Sequence, residues 1–195
     1  MTLSLRQRRR QETERDIQKA TLELAMQHGL DNVTTEQIAV SAGISTRTFF
    51  NYFTNKEAAA IGVPPGFRKE NKEALRIGAT SLAADLKLFL DKHMETLARD
   101  EAVLRMVGTV LQSNEKARGI LDGFLVKECD ELTECLVSRV NDRQIASALA
   151  SYAINVIERA IYLWEHEEEL SLGAALDLIW QGLIEASRLL TYSSA

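Results

Sequence analysis

Proline is almost missing from this 195-residue sequence: Pro64 and Pro65 are the only two, and they are adjacent. Helices elsewhere therefore meet no proline break. Extended period-2 alternation is also missing, as is any Asn-Gly or Asp-Gly hairpin between β-branched runs, so an all-α fold is expected. Cysteine is scarce, with only Cys129 and Cys135. Six residues apart on a helix, they would point about 240° apart around its axis, so they cannot bridge each other within one helix. They lack metal spacing too, and two reduced thiols are expected, with no metal or cofactor. No apolar run reaches 18 residues, and the start, MTLSLRQRRRQ, has no apolar signal-like core. The expectation is a soluble, cytoplasmic chain without a membrane span. Catalytic motifs are missing as well: there is no Gly-rich phosphate loop, Gly-x-Ser-x-Gly elbow, His-x-x-x-His pair or Cys-x-x-Cys. His28, His93 and His166 are widely scattered, and an enzyme is not expected.

What is present is an ordinary globular composition, 46% hydrophobic and 26% charged, enough to bury a core. The net charge of −5 does not suggest nucleic acid, but its distribution does. Residues 1–62 carry eight basic side chains against seven acidic ones, a net +1, which leaves −6 for the remainder. Four of the eight basic residues, Arg6, Arg8, Arg9 and Arg10, fall within the first ten positions. A basic arm thus leads a near-neutral segment, and an acidic body follows. Affinity for DNA depends on local phosphate contacts, so an acidic total does not oppose it.

The first helix is predicted over about 12–27, from the apolar stripe Ile17, Ala20, Leu24 and Ala25, with Gly29 ending it. Thr34 and Gln37 form a capping-box pattern for a short helix over 35–41. Ala42-Gly43-Ile44 breaks it, Ser45 caps a third helix from Thr46 to about Tyr52, and Thr54 is the expected cap of a fourth. Gly62-Val63-Pro64-Pro65-Gly66 is the strongest break and sets the expected domain boundary, 1–62 against 63–195. Beyond it, helical patterns are predicted over 79–99, 101–112 and 115–140. Two closing helices follow, at about 142–166 and 171–190, capped by Asp142 and Ser171.

Residues 34–57, TTEQIAVSAGISTRTFFNYFTNKE, meet the requirements of a helix-turn-helix. Two short helices crossing steeply need a small residue at their contact (Ala39), a glycine in the turn (Gly43) and apolar residues pinning both to a support. Ile38, Ala42, Ile44, Phe49 and Phe53 are the candidates for that inner face. Thr46, Arg47, Phe50 and Asn51 are then left pointing outward, with Thr48 and Tyr52 beside them. Arg can grip guanine O6 and N7, and Asn adenine N6 and N7, each in bidentate fashion. Thr46 and Phe50 suit a thymine methyl or a sugar. Thr35, Tyr52 and Lys56 lie at element ends, where they can meet phosphates.

Taken together, this segment resembles the N-terminal domain of the TetR family of transcriptional regulators. The matching residues are Thr35, Ile38-Ala39, Ala42-Gly43-Ile44-Ser45, Thr48-Phe49-Phe50-Asn51-Tyr52-Phe53 and Lys56-Glu57. Phe50 and Asn51 depart from the residues more usual there, so no base preference is carried over. The resemblance implies a homodimer bound to a palindromic double-stranded DNA operator, usually as a repressor, and a C-terminal pocket for a small-molecule effector. An activator, or a regulator without a ligand, is the alternative on the same fold.

The two closing helices are apolar around much of their circumference, and such helices need cover on most sides. A partner subunit is the simplest source, so both are expected in a homodimer interface. Candidate effector contacts are the apolar Phe89, Met94, Met106 and Phe124, with Leu97 and Val110, and a polar stripe of Tyr152, Asn155, Arg159 and Tyr162 on the first closing helix. The stripe faces either a cavity, with Arg159 drawing an anionic or carbonyl group, or the dimer interface.

Overall fold

The computed structural model describes residues 4–191, and every regular element among them is helical. Ten α-helices run as α1 (Leu5–His28), α2 (Thr35–Ser41), α3 (Thr46–Phe50), α4 (Lys56–Ile61), α5 (Lys69–Ile77), α6 (Leu82–Leu97), α7 (Glu101–Ser113), α8 (Glu115–Val140), α9 (Arg143–His166) and α10 (Leu172–Thr191). The all-α expectation holds. So do the caps at Thr34, Ser45, Asp142 and Ser171 and the helix-ending Gly29, whose φ is 76°.

Four local readings are corrected. α1 starts at Leu5 rather than near Glu12, because Ser4 and Gln7 close a capping box: Gln7 N–H donates to Ser4 Oγ at 3.3 Å, and Ser4 N–H to Gln7 Oε1 at 2.9 Å. The basic arm is thereby a helix, and arginine is a good helix former once the first turn is nucleated. α3 stops at Phe50 instead of Tyr52, with Asn51 as its C-cap. α4 is capped by Asn55, whose Oδ1 accepts from Ala58 N–H at 2.7 Å, rather than by Thr54. α5 was not anticipated, since only Leu75 on it is buried and its apolar pattern is correspondingly thin.

Packing groups the chain into two compact units. The first comprises the chain up to Pro64 together with Asp100–Phe124. Its centre is Ile17, Val33, Ile38, Ala39, Phe49, Phe53 and Ala59, with Ala42 and Ile44 against it. These include each of the inner-face residues expected of the helix-turn-helix. A second cluster joins Leu22, Ala25, Leu30, Ala60 and Ile61 to Val110 and Ala117. That cluster is why α7 belongs with the N-terminal helices despite the intervening chain. Polar ties add to it. Asn114 Nδ2 donates to Asp31 Oδ1 at 2.9 Å while Asn114 Oδ1 caps α8 by accepting from Ala117 N–H at 2.8 Å. Gln18 Nε2 donates to the carbonyls of Ala60 and Ile61, at 3.2 and 2.9 Å, and closes the C-terminal end of α4.

The second unit comprises Pro65–Arg99 and the chain from Leu125 onward. α9 packs against α10 and α6, and α10 against α6 as well. The buried side of α9 is largely alanine, with Ala146, Ala150, Ala153 and Ala160 beside Val156, Ile157 and Trp164. Small side chains let the neighbouring helices approach closely. Asp85 holds the turn between α5 and α6, accepting from the N–H groups of Ala79 and Thr80 and from the Thr80 hydroxyl. Arg139 Nη2 pairs with Asp85 at 3.0 Å, and Arg139 Nη1 donates to the Leu75 carbonyl at 2.7 Å. Hydrogen bonds from Thr80, outweighing burial, hold the Asp85 carboxyl below its usual range.

His93 lies edge-on to Phe67, with ring centroids 4.7 Å apart, and Phe67 lies 4.7 Å from Phe89. Burial pushes the His93 imidazole down to about 4 from an ordinary 6.5. Above pH 6.5 both folded and unfolded chains keep it neutral. Below that the unfolded chain takes the proton first, so stability is lost as pH falls toward 4. His93→Leu is therefore expected to flatten the fall in unfolding free energy between pH 7 and pH 5, read by urea titration, by on the order of 2 kcal/mol. Equal slopes for both proteins would dismiss the histidine as the source.

Candidate nucleic-acid interface

The helix-turn-helix is built by short-range chemistry. Thr34 Oγ1 accepts from Gln37 N–H at 3.2 Å, and Thr34 N–H donates to Gln37 Oε1 at 2.8 Å, which starts α2. Gly43 takes φ 66° in the turn, a left-handed conformation that a side chain disfavours. Ile44 N–H then donates to the Ala39 carbonyl at 2.9 Å, and Ser45 Oγ accepts from Thr48 N–H at 3.1 Å to start α3. Phe49 is fully buried, stacked edge-on with Phe50 at 5.3 Å and tilted against Phe53 at 6.3 Å.

Burying Phe49 turns the other side of α3 to solvent. Arg47 and Asn51 are exposed, Phe50 is 54% exposed, and Thr46 is half-buried. Arg47, Phe50 and Asn51 thus face solvent, while Thr46 is partly covered. Val40 on α2, at 80% exposure, is an apolar side chain on the same unit that sequence reasoning did not single out. Thr35 is half-buried at the start of α2. Thr48 is half-buried and shares a 2.8 Å hydroxyl–hydroxyl bond with Ser45, so it serves the cap first. Tyr52 is half-buried under the Arg10 guanidinium, whose carbon lies 5.3 Å from the ring centroid. The Lys56 ammonium donates to the carbonyls of Asp31 and Val33, at 2.8 and 3.0 Å. It closes the turn before α2, and that engages two of its three protons.

The N-terminal turns of α1 add a feature that the sequence reading placed only as an arm. Arg6, Arg9, Arg10 and Thr13 line an open hollow of about 530 Å³ with Leu5 and Tyr52.

The expected effector contacts are not gathered within one unit. Phe89 and Met94 are buried in the second unit. Met106 packs against the second cluster of the first unit, and Phe124 closes that unit's sequence range, half-buried. Tyr152, Asn155, Arg159 and Tyr162 all stand exposed on α9. A hollow of about 70 Å³ lies beside Phe89, lined also by Asn71, Asp85, Leu88 and Lys92. That is well below the ~300–1,000 Å³ of a typical ligand pocket. Both cysteines are free, and no helix among the described residues is long and apolar enough to cross a membrane.

This arrangement defines a helix-turn-helix domain of the kind that reads a major groove. Residues 17–60 match the model of bacterial regulatory proteins of the tetR family. The HTH-type transcriptional regulator TcmR of Streptomyces glaucescens is 39% identical over 57 residues, 29% of this chain and 25% of that protein. The chain thus spans about a quarter of the length of the curated relatives it matches. The likeness of fold extends further. A TetR-family regulator from Syntrophomonas wolfei superposes with a TM-score of 0.66 over 91% of this chain and 95% of its own, at 15% identity. FadR of Thermus thermophilus, a TetR-family repressor solved with lauroyl-CoA, does so with a TM-score of 0.54 over 88% and 93%, at 18% identity. These proteins are transcriptional regulators, not enzymes.

Proposed function

We propose that this chain is a DNA-binding transcriptional regulator that holds a palindromic operator as a homodimer and is released from it by a small molecule. DNA recognition is assigned to residues 1–62, and effector binding and dimerisation to 63–195. One observation carries the reading: α3 buries Phe49 and leaves Arg47, Phe50 and the C-cap Asn51 exposed, on a unit whose α1 carries Arg6, Arg9 and Arg10 along one face. The residues at the start of a recognition helix are those that reach base edges. Thr46 and Arg47 occupy that start. Asn51, at the C-cap, is the weaker reader and the better placed for sugar or phosphate.

Dimerisation is assigned to α9 and α10. Tyr152 and Tyr162 on α9 and Leu178 and Leu189 on α10 are 50%, 62%, 54% and 79% exposed, a large apolar area to leave in water. The exposure of Tyr152, Asn155 and Arg159 favours their serving this interface over an internal cavity.

Selection from random duplexes tests the core of the proposal. A palindrome should be enriched, with two half-sites about one helical turn apart or a multiple of it. Selection that enriches no palindrome defeats it. Deleting the gene should raise expression from its own promoter; a fall would make the protein an activator. For the effector, lauroyl-CoA is the first probe, because the T. thermophilus regulator of like fold was solved with it. An effector must weaken DNA binding by the same factor by which DNA weakens its own.

A further inference from the structure

Arg6, Arg9, Arg10 and Thr13 fall at i, i+3, i+4 and i+7, so one face of α1 carries all four. They line the hollow of about 530 Å³ together with Leu5 and Tyr52, the residue after the α3 C-cap. The groups in this hollow divide into two kinds. Arg10 is already engaged: its guanidinium lies over the Tyr52 ring, and its Nε pairs with Glu14 Oε1 at 2.9 Å. Thr13 donates its hydroxyl proton to the Arg9 carbonyl at 3.0 Å. Arg6 and Arg9, both exposed, are in no ion pair formed among the described residues. They therefore bring two guanidinium groups to the rim of a hollow whose far wall is fixed to the end of α3. Leu5, 68% exposed, gives that rim an apolar edge.

Resting on the DNA-binding reading above, we infer that this hollow seats the DNA backbone beside the groove that α3 enters. Arg6 and Arg9 bind phosphates there, Leu5 lies against the sugars, and Arg10 with Tyr52 locks the arm to α3. The occupant follows from charge: two exposed guanidinium groups one helical turn apart match a strand that carries a phosphate at every 3.4 Å of duplex axis. Arg10 is a positioning residue in this scheme, and so is Tyr52. Arg8 lies on the opposite side of the same helix, outside the hollow, and provides a control of equal charge.

The experiment compares wild type, Arg6→Ala/Arg9→Ala, Arg6→Lys/Arg9→Lys and Arg8→Ala on the palindrome enriched from random duplexes. Alanine is at least as good a helix former as arginine, so the arm keeps its helix. The double alanine variant should lose affinity about equally for all sequences. Its log–log salt slope should be shallower by about 2 per protomer, at ~0.9 per phosphate. Over a fourfold rise in salt it then loses about tenfold less affinity than wild type, per protomer. The lysine variant should keep most of the slope, Arg8→Ala nearly all of it, and the enriched palindrome should be unchanged. On duplexes trimmed to the palindrome, without flanking backbone, wild type and the alanine variant should converge. An unchanged slope in the alanine variant, or an equal drop in Arg8→Ala, overturns the seat while the regulator reading stands. If wild type enriches no palindrome, it is the regulator reading that falls.

Discussion

Phe49→Ala should unfold or severely loosen the DNA-binding unit, while Phe50→Ala next to it should leave the unit folded and weaken its hold on DNA. Phe49 is fully buried among Ile17, Ile38, Phe53 and Ala59, and Phe50 is 54% exposed. Removing a buried phenylalanine costs about 3–5 kcal/mol, from the lost transfer energy and the cavity left behind. That is a large share of the ~5–15 kcal/mol that holds a domain together. α3 has only five residues and cannot stand without this anchor. Thermal unfolding followed by circular dichroism reads the first effect, and operator affinity at constant salt reads the second. A Phe49→Ala protein as stable as wild type would show that α3 is held by something other than this side chain. A Phe50→Ala protein with wild-type affinity would remove Phe50 from the interface.

Arg47→Ala should cost about 1–3 kcal/mol at the preferred operator and relax the preference at one base position per half-site. Arg47 is exposed in the first turn of α3, where the Ser45 cap fixes the helix start, and its fork suits guanine. The same substitution should leave thermal stability within about 0.5 kcal/mol, since an exposed side chain away from caps and cores contributes little. Selection repeated with the variant checks this directly. A loss that is uniform over all sequences would make Arg47 a phosphate contact and leave base reading to Thr46 or Asn51. The contrast with Lys56 is instructive: both are cations of the motif, but the Lys56 ammonium is engaged by the Asp31 and Val33 carbonyls.

What could be read in the chain and what could not differ by the range of the interactions. The helix-turn-helix is specified by neighbours a few residues apart: the Thr34–Gln37 box, Gly43 in the turn, the Ser45 cap and the spacing of Phe49 and Phe53. Each such device acts within about one helical turn, so its residues lie together in the sequence. The Asp142 and Ser171 caps were legible for the same reason. Even the early start of α1 is written locally, in Ser4 and Gln7, although no apolar stripe marks those turns.

The rest was decided by tertiary structure, because it joins residues tens of positions apart. Nothing near Val110 or Asn114 announces that α7 and the start of α8 pack with Leu22, Ala25 and Asp31. Arg10 over Tyr52, which makes a hollow out of a basic run, joins positions 42 residues apart. The stripe of Tyr152, Asn155 and Arg159 has clear helical spacing, but spacing gives only a shared face, and it took the packing of α9 on α6 and α10 to put that face outside. By itself the sequence determined an all-α chain with a helix-turn-helix and its outward residues, because periodicity and caps are local. Tertiary structure alone decided which cations remain free for a partner, because a charge is engaged or spared by groups that only folding brings near.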